Sequence, residues 1–198
     1  MSNINIEDMK KAIATMHEMS KKTGQNLLHN YKWRELIQKD IMTKNGINVK
    51  DVSGITGDDF LGKDIKKGDY KSTKGRQLKN GHLSKAAGKF EFDKQNDAIK
   101  RRKTLDYDCL FFTWFIGVEA KASVLIKDNE AVKGFRQMAK KKLDSFVKLM
   151  ETSEKEGKRV PRDSITFNYS DVITISGARY FSGTTEITLK EFKAIFGE

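Results

Sequence analysis

GDDFLGKDIKKGDYKS, residues 57–72, combines acidic residues and lysines with glycines at turn positions. Asp59 and Asp69 are equally distant from a turn centred near Asp64. Residues placed in this way face each other across a β-hairpin, with side chains about 5 Å apart. Because side chains alternate along a strand, Asp69 and Lys71 share one face. The spacing therefore predicts that two carboxylates and one ammonium group converge on a single point.

This predicted cluster has a definite chemistry. Two facing carboxylates repel each other, and they persist most naturally where a divalent cation neutralises them. A lysine beside that cation can orient an attacking water or stabilise charge that develops on a phosphate. The pattern therefore indicates a magnesium-dependent phosphodiesterase site. The alternative interpretation is that these are ordinary turn residues, since one third of the chain is charged.

Composition limits the class of protein. A chain of 198 residues is most simply one domain with a substantial core. The single cysteine, Cys109, lies in an apolar run and cannot form an internal disulfide, which favours a reducing compartment. No charged-then-apolar leader opens the chain, and no apolar run reaches membrane-spanning length. We expect a soluble, cytoplasmic protein that does not contact a membrane.

The positive charge is concentrated in one part of the chain. The net charge is +11, and residues 63–103 contain 14 Lys and Arg against five Asp and Glu. Phosphate backbones are the expected partner of such a segment. The alternatives are solubility or an anionic membrane surface. A lipid-binding helix would show an apolar face opposite the basic one, and residues 63–89 show none. The distribution favours nucleic acid.

Periodicity predicts the secondary structure. Residues 4–44 show helical spacing with a break at Gly24, and Asn45-Gly46 closes the second helix. Residues 109–116 are typical of a buried central strand, and the alternation over 118–126 predicts a strand with one buried face. A long helix follows from Asp128-Asn129. The remaining predictions are short strands at 165–169, 172–175 and near 187, and a last helix opened by the capping box Thr188-x-x-Glu191.

Two segments carry the candidate DNA contacts. Residues 74–89 contain little that is apolar and are expected to form a mobile loop that orders on DNA, or else a plain surface linker. Residues 88–103 interleave aromatic residues with Lys, Gln, Asn and Arg. Gln and Asn can contact adenine in a bidentate manner, and Arg or Lys can contact guanine. The candidate DNA-binding residues are Lys74, Arg76, Lys94, Gln95, Asn96, Lys100 and Arg101.

A second set of residues fits the same motif. Asp108 is followed, after ten residues, by Glu119-Ala120-Lys121. A hairpin that turns at Gly117 pairs Asp108 with about Ile126 and leaves Glu119 more than about 20 Å away. If the chain does not turn at Gly117, Asp108, Glu119 and Lys121 become the site instead.

Glu35 is a further candidate, an accessory acid on the second helix. The alternative for this residue is a solvated helix face.

The residues quoted above resemble the PD-(D/E)XK nuclease superfamily, and within it the PvuII-like type II restriction endonucleases. The resemblance rests on Gly57-Asp58-Asp59, on Asp69-Tyr70-Lys71-Ser72 ten positions later, and on the strands at 110–115 and 118–126. It covers about half of the chain. One departure is Asp69, where the PvuII-like pattern has Glu, although the wider superfamily also allows Asp. The histidine cluster expected after the lysine is absent.

The resemblance implies roles for the residues. Asp59 and Asp69 would be the Mg²⁺ ligands, and Lys71 would position or activate the attacking water. It also implies an α/β (α+β) fold, with a mixed central β-sheet flanked by helices as in restriction endonucleases. Here a small β-rich C-terminal region would be added. We expect residues 1–47 to form a helical dimerisation region, residues 48–127 the catalytic core, and residues 128–198 the helix with the β-rich region.

The function expected from the resemblance is site-specific cleavage of double-stranded DNA. A homodimeric type II endonuclease would hydrolyse a phosphodiester bond to leave a 5′-phosphate and a 3′-hydroxyl, alongside a cognate DNA methyltransferase encoded separately. One alternative is a related phage, repair or nicking nuclease. The other is a basic DNA-binding protein without catalysis.

Overall fold

The computed structural model describes residues 5–23, 32–52, 59–92, 105–159 and 165–198. Over these ranges the helices are α1 (Ile6–Thr23), α2 (Lys32–Lys44), α3 (Asn129–Lys155), α4 (Tyr169–Val172) and α5 (Leu189–Ile195). The strands are β1 (Val49–Asp51), β2 (Phe60–Gly62), β3 (Ile65–Lys74), β4 (Phe90–Phe92), β5 (Cys109–Ile116), β6 (Glu119–Ile126), β7 (Ile165–Phe167), β8 (Arg179–Ser182) and β9 (Thr185–Ile187).

Seven strands form one mixed sheet in the order β1-β2-β3-β5-β6-β8-β9. β3 and β5 run parallel, from Gly68 beside Cys109 to Lys74 beside Phe115. All other neighbours in this sheet are antiparallel. Helices flank the sheet, which confirms the predicted α/β class with a mixed central sheet. β4 and β7 form a separate antiparallel pair.

The central strand β5 is buried on both faces, as its apolar run predicted. Leu110, Phe112 and Trp114 belong to one hydrophobic cluster with residues of α3. Phe111 and Phe115 belong to a second cluster with residues of α2. Each face of the sheet is thus covered by a helix and its own apolar layer, since successive side chains of a strand point to opposite faces.

The helical prediction for the N-terminal region is confirmed where the chain is described. α2 ends at Lys44, and Gly46 then takes a left-handed conformation with φ +77°. The N–H of Ile47 donates to the carbonyl of Met42 at 2.9 Å, as is usual where a glycine ends a helix. The predicted break at Gly24 lies outside the described residues. None of the described helices combines the length and apolar character that a membrane span requires.

The prediction of a single buried face on β6 was wrong. Ser123, expected on a polar face, is fully buried, and its hydroxyl donates to Thr113 Oγ1 at 3.1 Å. Because β6 lies between β5 and β8 with apolar layers above and below, its second half is buried on both sides. The predicted polar face holds only for the first half of β6, where Glu119 is exposed and Lys121 partly exposed.

The C-terminal region differs from the expected row of short strands. β7 ends at Phe167, and Asn168 then caps the short helix α4 through a capping box with Asp171. The predicted strand at 172–175 is therefore wrong. β8 and β9 do form, and they extend the central sheet beyond β6. The capping box of Thr188 and Glu191 opens α5 as predicted.

The segment of residues 75–89, expected to be either a mobile loop or a plain surface linker, is docked on the molecule. Leu83 is buried, and its N–H donates to the carbonyl of Ile195 at 2.8 Å. Lys85 forms an ion pair with Glu198 at 2.8 Å. Leu83 is the buried apolar residue that packs this polar stretch against the core beside α5. The division of the chain into three functional regions stays a prediction.

Candidate active site

The β2–β3 hairpin brings the two predicted acids together. Its turn lies at Lys63-Asp64, and Phe60 pairs with Gly68. The N–H of Asp59 donates to the carbonyl of Gly68 at 2.8 Å, which places Asp59 opposite Asp69. The Asp59 carboxyl group is close enough to act on the pKa of Asp69. The two acids thus face each other as predicted, and a register shift between Phe60 and Gly62 brings them there.

Gly68 makes room for the ring of Phe60 beside the two acids. A Cβ atom at this position would overlap the ring of Phe60, which lies directly against the backbone. Phe60 is itself fully buried in the cluster on the α2 side of the sheet. The Phe60 ring can lie across the backbone of β3 because residue 68 has no side chain.

Asp69 is a buried acid with an unusual protonation equilibrium. Only 3% of the residue is exposed. Burial raises the pKa of Asp69 to about 7, the nearby ammonium of Lys71 opposes this rise, and the hydrogen bond and negative charge of Asp59 add to it. Near neutral pH Asp69 is therefore partly protonated, and a cation bound to it would replace that proton.

Asp59 is oriented by the backbone. The N–H of Tyr70 donates to Asp59 Oδ2 at 2.9 Å. The same carboxyl group lies beside Asp69, so these two contacts join it to the strand β3. Asp59 thus has a fixed direction before any ligand arrives.

Lys71 completes the predicted cluster. Its ammonium lies 2.6 Å from Asp69 Oδ2, and 14% of its side chain is exposed. It also lies 4.9 Å from the centroid of the Phe92 ring. The structure brings Asp59, Asp69 and Lys71 together on the face of the sheet that α3 covers.

The second set of residues is separated. β5 and β6 form the expected hairpin, with Ile116 paired to Glu119 and Leu110 to Ile126, two residues from the predicted register. Asp108 therefore lies at the opposite end of the hairpin from Glu119. Glu119 forms an exposed ion pair with Lys121.

The Asp108 carboxylate forms hydrogen bonds and an ion pair with residues outside the Asp59–Asp69–Lys71 cluster. Its Oδ2 accepts from the N–H groups of Lys66 and Lys67 at 3.1 and 3.2 Å. Its other oxygen lies 3.2 Å from the guanidinium of Arg136. These contacts tie the start of β5 to β3 and to α3.

Glu35 lies half-buried on α2, the helix that packs against the Tyr70 face of the sheet. Asp69 and Lys71 extend from the other face. Among the described residues no group of three or more His, Cys, Asp or Glu is arranged to hold a metal ion. Glu35 therefore does not add a third carboxylate to the pair.

The candidate DNA-binding residues are only partly described. Lys74 and Arg76 are exposed at the end of β3 and just after it. By strand alternation Lys74 extends from the face opposite Lys71. Arg76 Nη2 lies 3.5 Å from Ser84 Oγ. The other five, Lys94, Gln95, Asn96, Lys100 and Arg101, lie outside the described residues, as does Asp58.

Two residues near the site were missed by the sequence analysis. Gln38 on α2 is fully buried, and its Nε2 donates to the carbonyls of Lys71 and Phe111 at 3.2 and 2.9 Å. Phe92 was interpreted as part of a DNA-facing segment, but it is buried beneath the Lys71 ammonium. No spacing rule links either residue to the hairpin, because both contacts join distant parts of the chain.

No protein-family model matches this chain, and no curated protein matches it either. The geometry of the cluster is therefore the basis for assigning chemistry. Its donors are carboxylate oxygens, which Mg²⁺ prefers. Mg²⁺ is usually held by one or two carboxylates, with substrate phosphates and waters as the other ligands. A pair of facing carboxylates fits that requirement without a third protein ligand.

Proposed function

We propose that this protein is a magnesium-dependent endonuclease that hydrolyses phosphodiester bonds of double-stranded DNA. The observation that carries the proposal is the convergence of Asp59, Asp69 and Lys71. A chain with net charge +11 supplies the attraction for a polyanion. Paired carboxylates with an adjacent ammonium group suit phosphoryl chemistry, in which negative charge must be stabilised.

Asp59 and Asp69 would hold the Mg²⁺ ion. Once bound, the ion supplies Lewis-acid stabilisation of the phosphate and lowers the pKa of a water molecule. Asp69 must lose its proton to act as a ligand, and the neighbouring ammonium of Lys71 favours the ionised form. Asp59 is already oriented by the N–H of Tyr70. A bound cation would therefore stabilise the ionised form of Asp69 beside Asp59.

Lys71 would act at the scissile phosphate. Water forms a new bond to phosphorus, the bond from phosphorus to the 3′-oxygen breaks, and a proton reaches that oxygen. The products are a 5′-phosphate and a 3′-hydroxyl. The Lys71 ammonium beside the carboxylates would stabilise the negative charge that builds on the phosphate oxygens during attack.

We further propose that the protein is a type II restriction endonuclease of the PvuII-like group. The resemblance of residues 57–72 supports this assignment, and the mixed sheet flanked by helices is the fold class that it implies. Two subunits in a homodimer would place one site on each DNA strand and favour a palindromic target. The cognate methyltransferase would be encoded separately, and both proteins would act in the cytoplasm.

The chain offers a matched control for the catalytic residues. Glu119-x-Lys121 repeats the acid-x-lysine spacing of Asp69-x-Lys71, but as an exposed ion pair at the far end of the β5–β6 hairpin. We expect Asp69→Asn and Lys71→Met each to lower the rate of plasmid cleavage by about 100-fold or more. Glu119→Gln and Lys121→Met should cleave at the wild-type rate.

The same assay separates the outcomes. Equal loss in both pairs would mean that general charge, not the β3 cluster, drives cleavage. Nicked plasmid without linear product would indicate a nicking enzyme. A wild-type protein that binds DNA but leaves it intact with Mg²⁺ would overturn the proposal in favour of a DNA-binding protein without catalysis.

A further inference from the structure

Lys71 is held between an anion and an aromatic ring. Its ammonium lies 2.6 Å from Asp69 Oδ2 and 4.9 Å from the centroid of Phe92. The Lys71 and Phe92 side chains are both largely removed from water, since 14% of the Lys71 side chain and 4% of Phe92 are exposed. A cation over a ring face is attracted by the ring quadrupole, and the attraction grows when water is excluded. The contact is therefore energetically relevant to the position of the ammonium.

The Phe92 ring is fixed from behind by other aromatic rings. Its centroid lies 5.3 Å from that of Phe167 and 5.8 Å from those of Tyr107 and Phe135. β4, which carries Phe92, is paired to β7 through Phe92 and Ile165. The ring is thus packed on several sides and cannot follow a moving lysine.

A ring offers the lysine something that a carboxylate does not. The Asp69 carboxylate is also the group that would hold Mg²⁺, and a cation bound there would weaken the attraction between Asp69 and the ammonium. The Phe92 ring is neutral and is not a ligand for Mg²⁺. It can keep the ammonium in place whichever partner Asp69 has.

We propose that Phe92 is a positioning residue whose ring face holds the Lys71 ammonium beside the carboxylate pair. Its part in cleavage rests on the proposed nuclease function, whereas the holding of the ammonium does not. Two measurements therefore test the proposal, one with DNA cleavage and one without it.

The first measurement weakens the ring quadrupole with almost no change in shape. Phenylalanine carrying one, two or three ring fluorines is incorporated at position 92, and the same series at Phe135 serves as the control. Phe135 packs against the ring of Phe92 in the same aromatic cluster. In the described part of the chain no lysine or arginine lies over the face of Phe135. Single-turnover cleavage should slow stepwise at position 92, by about tenfold at three fluorines, with unchanged DNA affinity. The same series at Phe135 should not change the cleavage rate. A flat series at position 92 would overturn the proposal.

The second measurement needs no activity. Protein labelled with ¹³C-lysine is observed by NMR without metal, and Lys71→Arg assigns the Lys71 ε-methylene signal. The nearby ring should shift that signal upfield. Phe92→Leu should move it toward the position of an exposed lysine, whereas Phe135→Leu should leave it in place. An unchanged signal in Phe92→Leu would refute the contact. A shifted signal in a protein that cleaves no DNA would uphold the contact and refute the nuclease function.

Discussion

Asp69 bears an electrostatic cost that follows from its place in the fold. In an unfolded chain an aspartate titrates near 3.9, whereas burial raises the pKa of Asp69 to about 7 in the folded protein. Between these values the folded state binds more protons than the unfolded state. The contribution of Asp69 to the stability of the metal-free protein therefore falls as the pH rises from about 4 to about 7.

Asp69→Asn should remove this loss of stability. The amide is neutral at every pH, so we expect the variant to be more stable than the wild type at pH 8 without metal, on the order of 2 to 4 kcal/mol. At pH 4 the two proteins should be nearly equal. Urea unfolding at both pH values measures the difference. A wild type more stable than the variant at pH 8 without metal would contradict the account.

Sequence alone could locate Asp59, Asp69 and Lys71 because all three lie within one short hairpin and side chains alternate along its strand. It could not show the register shift between Phe60 and Gly62 that brings Asp59 opposite Asp69. It could not locate Phe92. That ring reaches Lys71 through the pairing of β4 with β7, which joins residues more than 70 positions apart. Polar neighbours in the sequence favoured an exposed, DNA-facing interpretation of a residue that is buried.

Helix α2 is tied to the strand β3 through Gln38. Its Nε2 donates to Lys71 O, Phe111 O and Thr113 Oγ1 at 3.2, 2.9 and 3.0 Å. Gln38→Met keeps the volume but removes the donor, and should destabilise the protein by about 2 kcal/mol because buried acceptors lose their partner. Gln77, an exposed glutamine whose Nε2 donates to the carbonyl of Gly81, is the control. Gln77→Met should change stability by less than about 0.5 kcal/mol. Equal effects at both positions in chemical denaturation would contradict this role.

The packing of the Phe60 ring on Gly68 predicts that glycine-to-alanine substitutions at two positions change stability in opposite directions. Gly68→Ala would drive a methyl group into the ring of Phe60 and should destabilise the protein by about 1 to 3 kcal/mol. Gly134 lies within α3, and the nearest atom to a Cβ there is in ordinary contact at 3.6 Å. Gly134→Ala should therefore stabilise by about 0.5 to 1 kcal/mol. Thermal unfolding checks both signs, and a stabilised Gly68→Ala would refute the packing argument.

Elements with strong local signals were predicted well. The apolar run of β5 and the capping box of α5 are properties of a few adjacent residues. The predicted strand at 172–175 was wrong because the same apolar alternation also suits the end of a short helix and the turn that follows it. The order of the sheet was beyond local reasoning, since the parallel pairing of β3 with β5 follows a connection of more than 30 residues.

The charge distribution of the whole molecule predicts how DNA binding depends on salt. Lys74 and Arg76 lie in the basic segment and are exposed. If each contacts a phosphate, the double variant Lys74→Ala/Arg76→Ala should reduce the slope of log affinity against log salt by about 2. Lys148 and Lys155, exposed on α3 outside that segment, provide a control with the same change in charge. Fluorescence anisotropy without metal measures both. Equal slopes for the two double variants would mean that net charge alone governs binding.

The central claim is that the paired acids and lysine of β2 and β3 make this protein a magnesium-dependent DNA endonuclease. Digestion of long, unmethylated DNA by the purified protein, with and without Mg²⁺, tests it most directly. The account predicts discrete fragments that require Mg²⁺ and disappear with Asp69→Asn. A smear would contradict site specificity. Fragments that persist in Asp69→Asn, or DNA that stays intact with Mg²⁺, would contradict the assignment of the site.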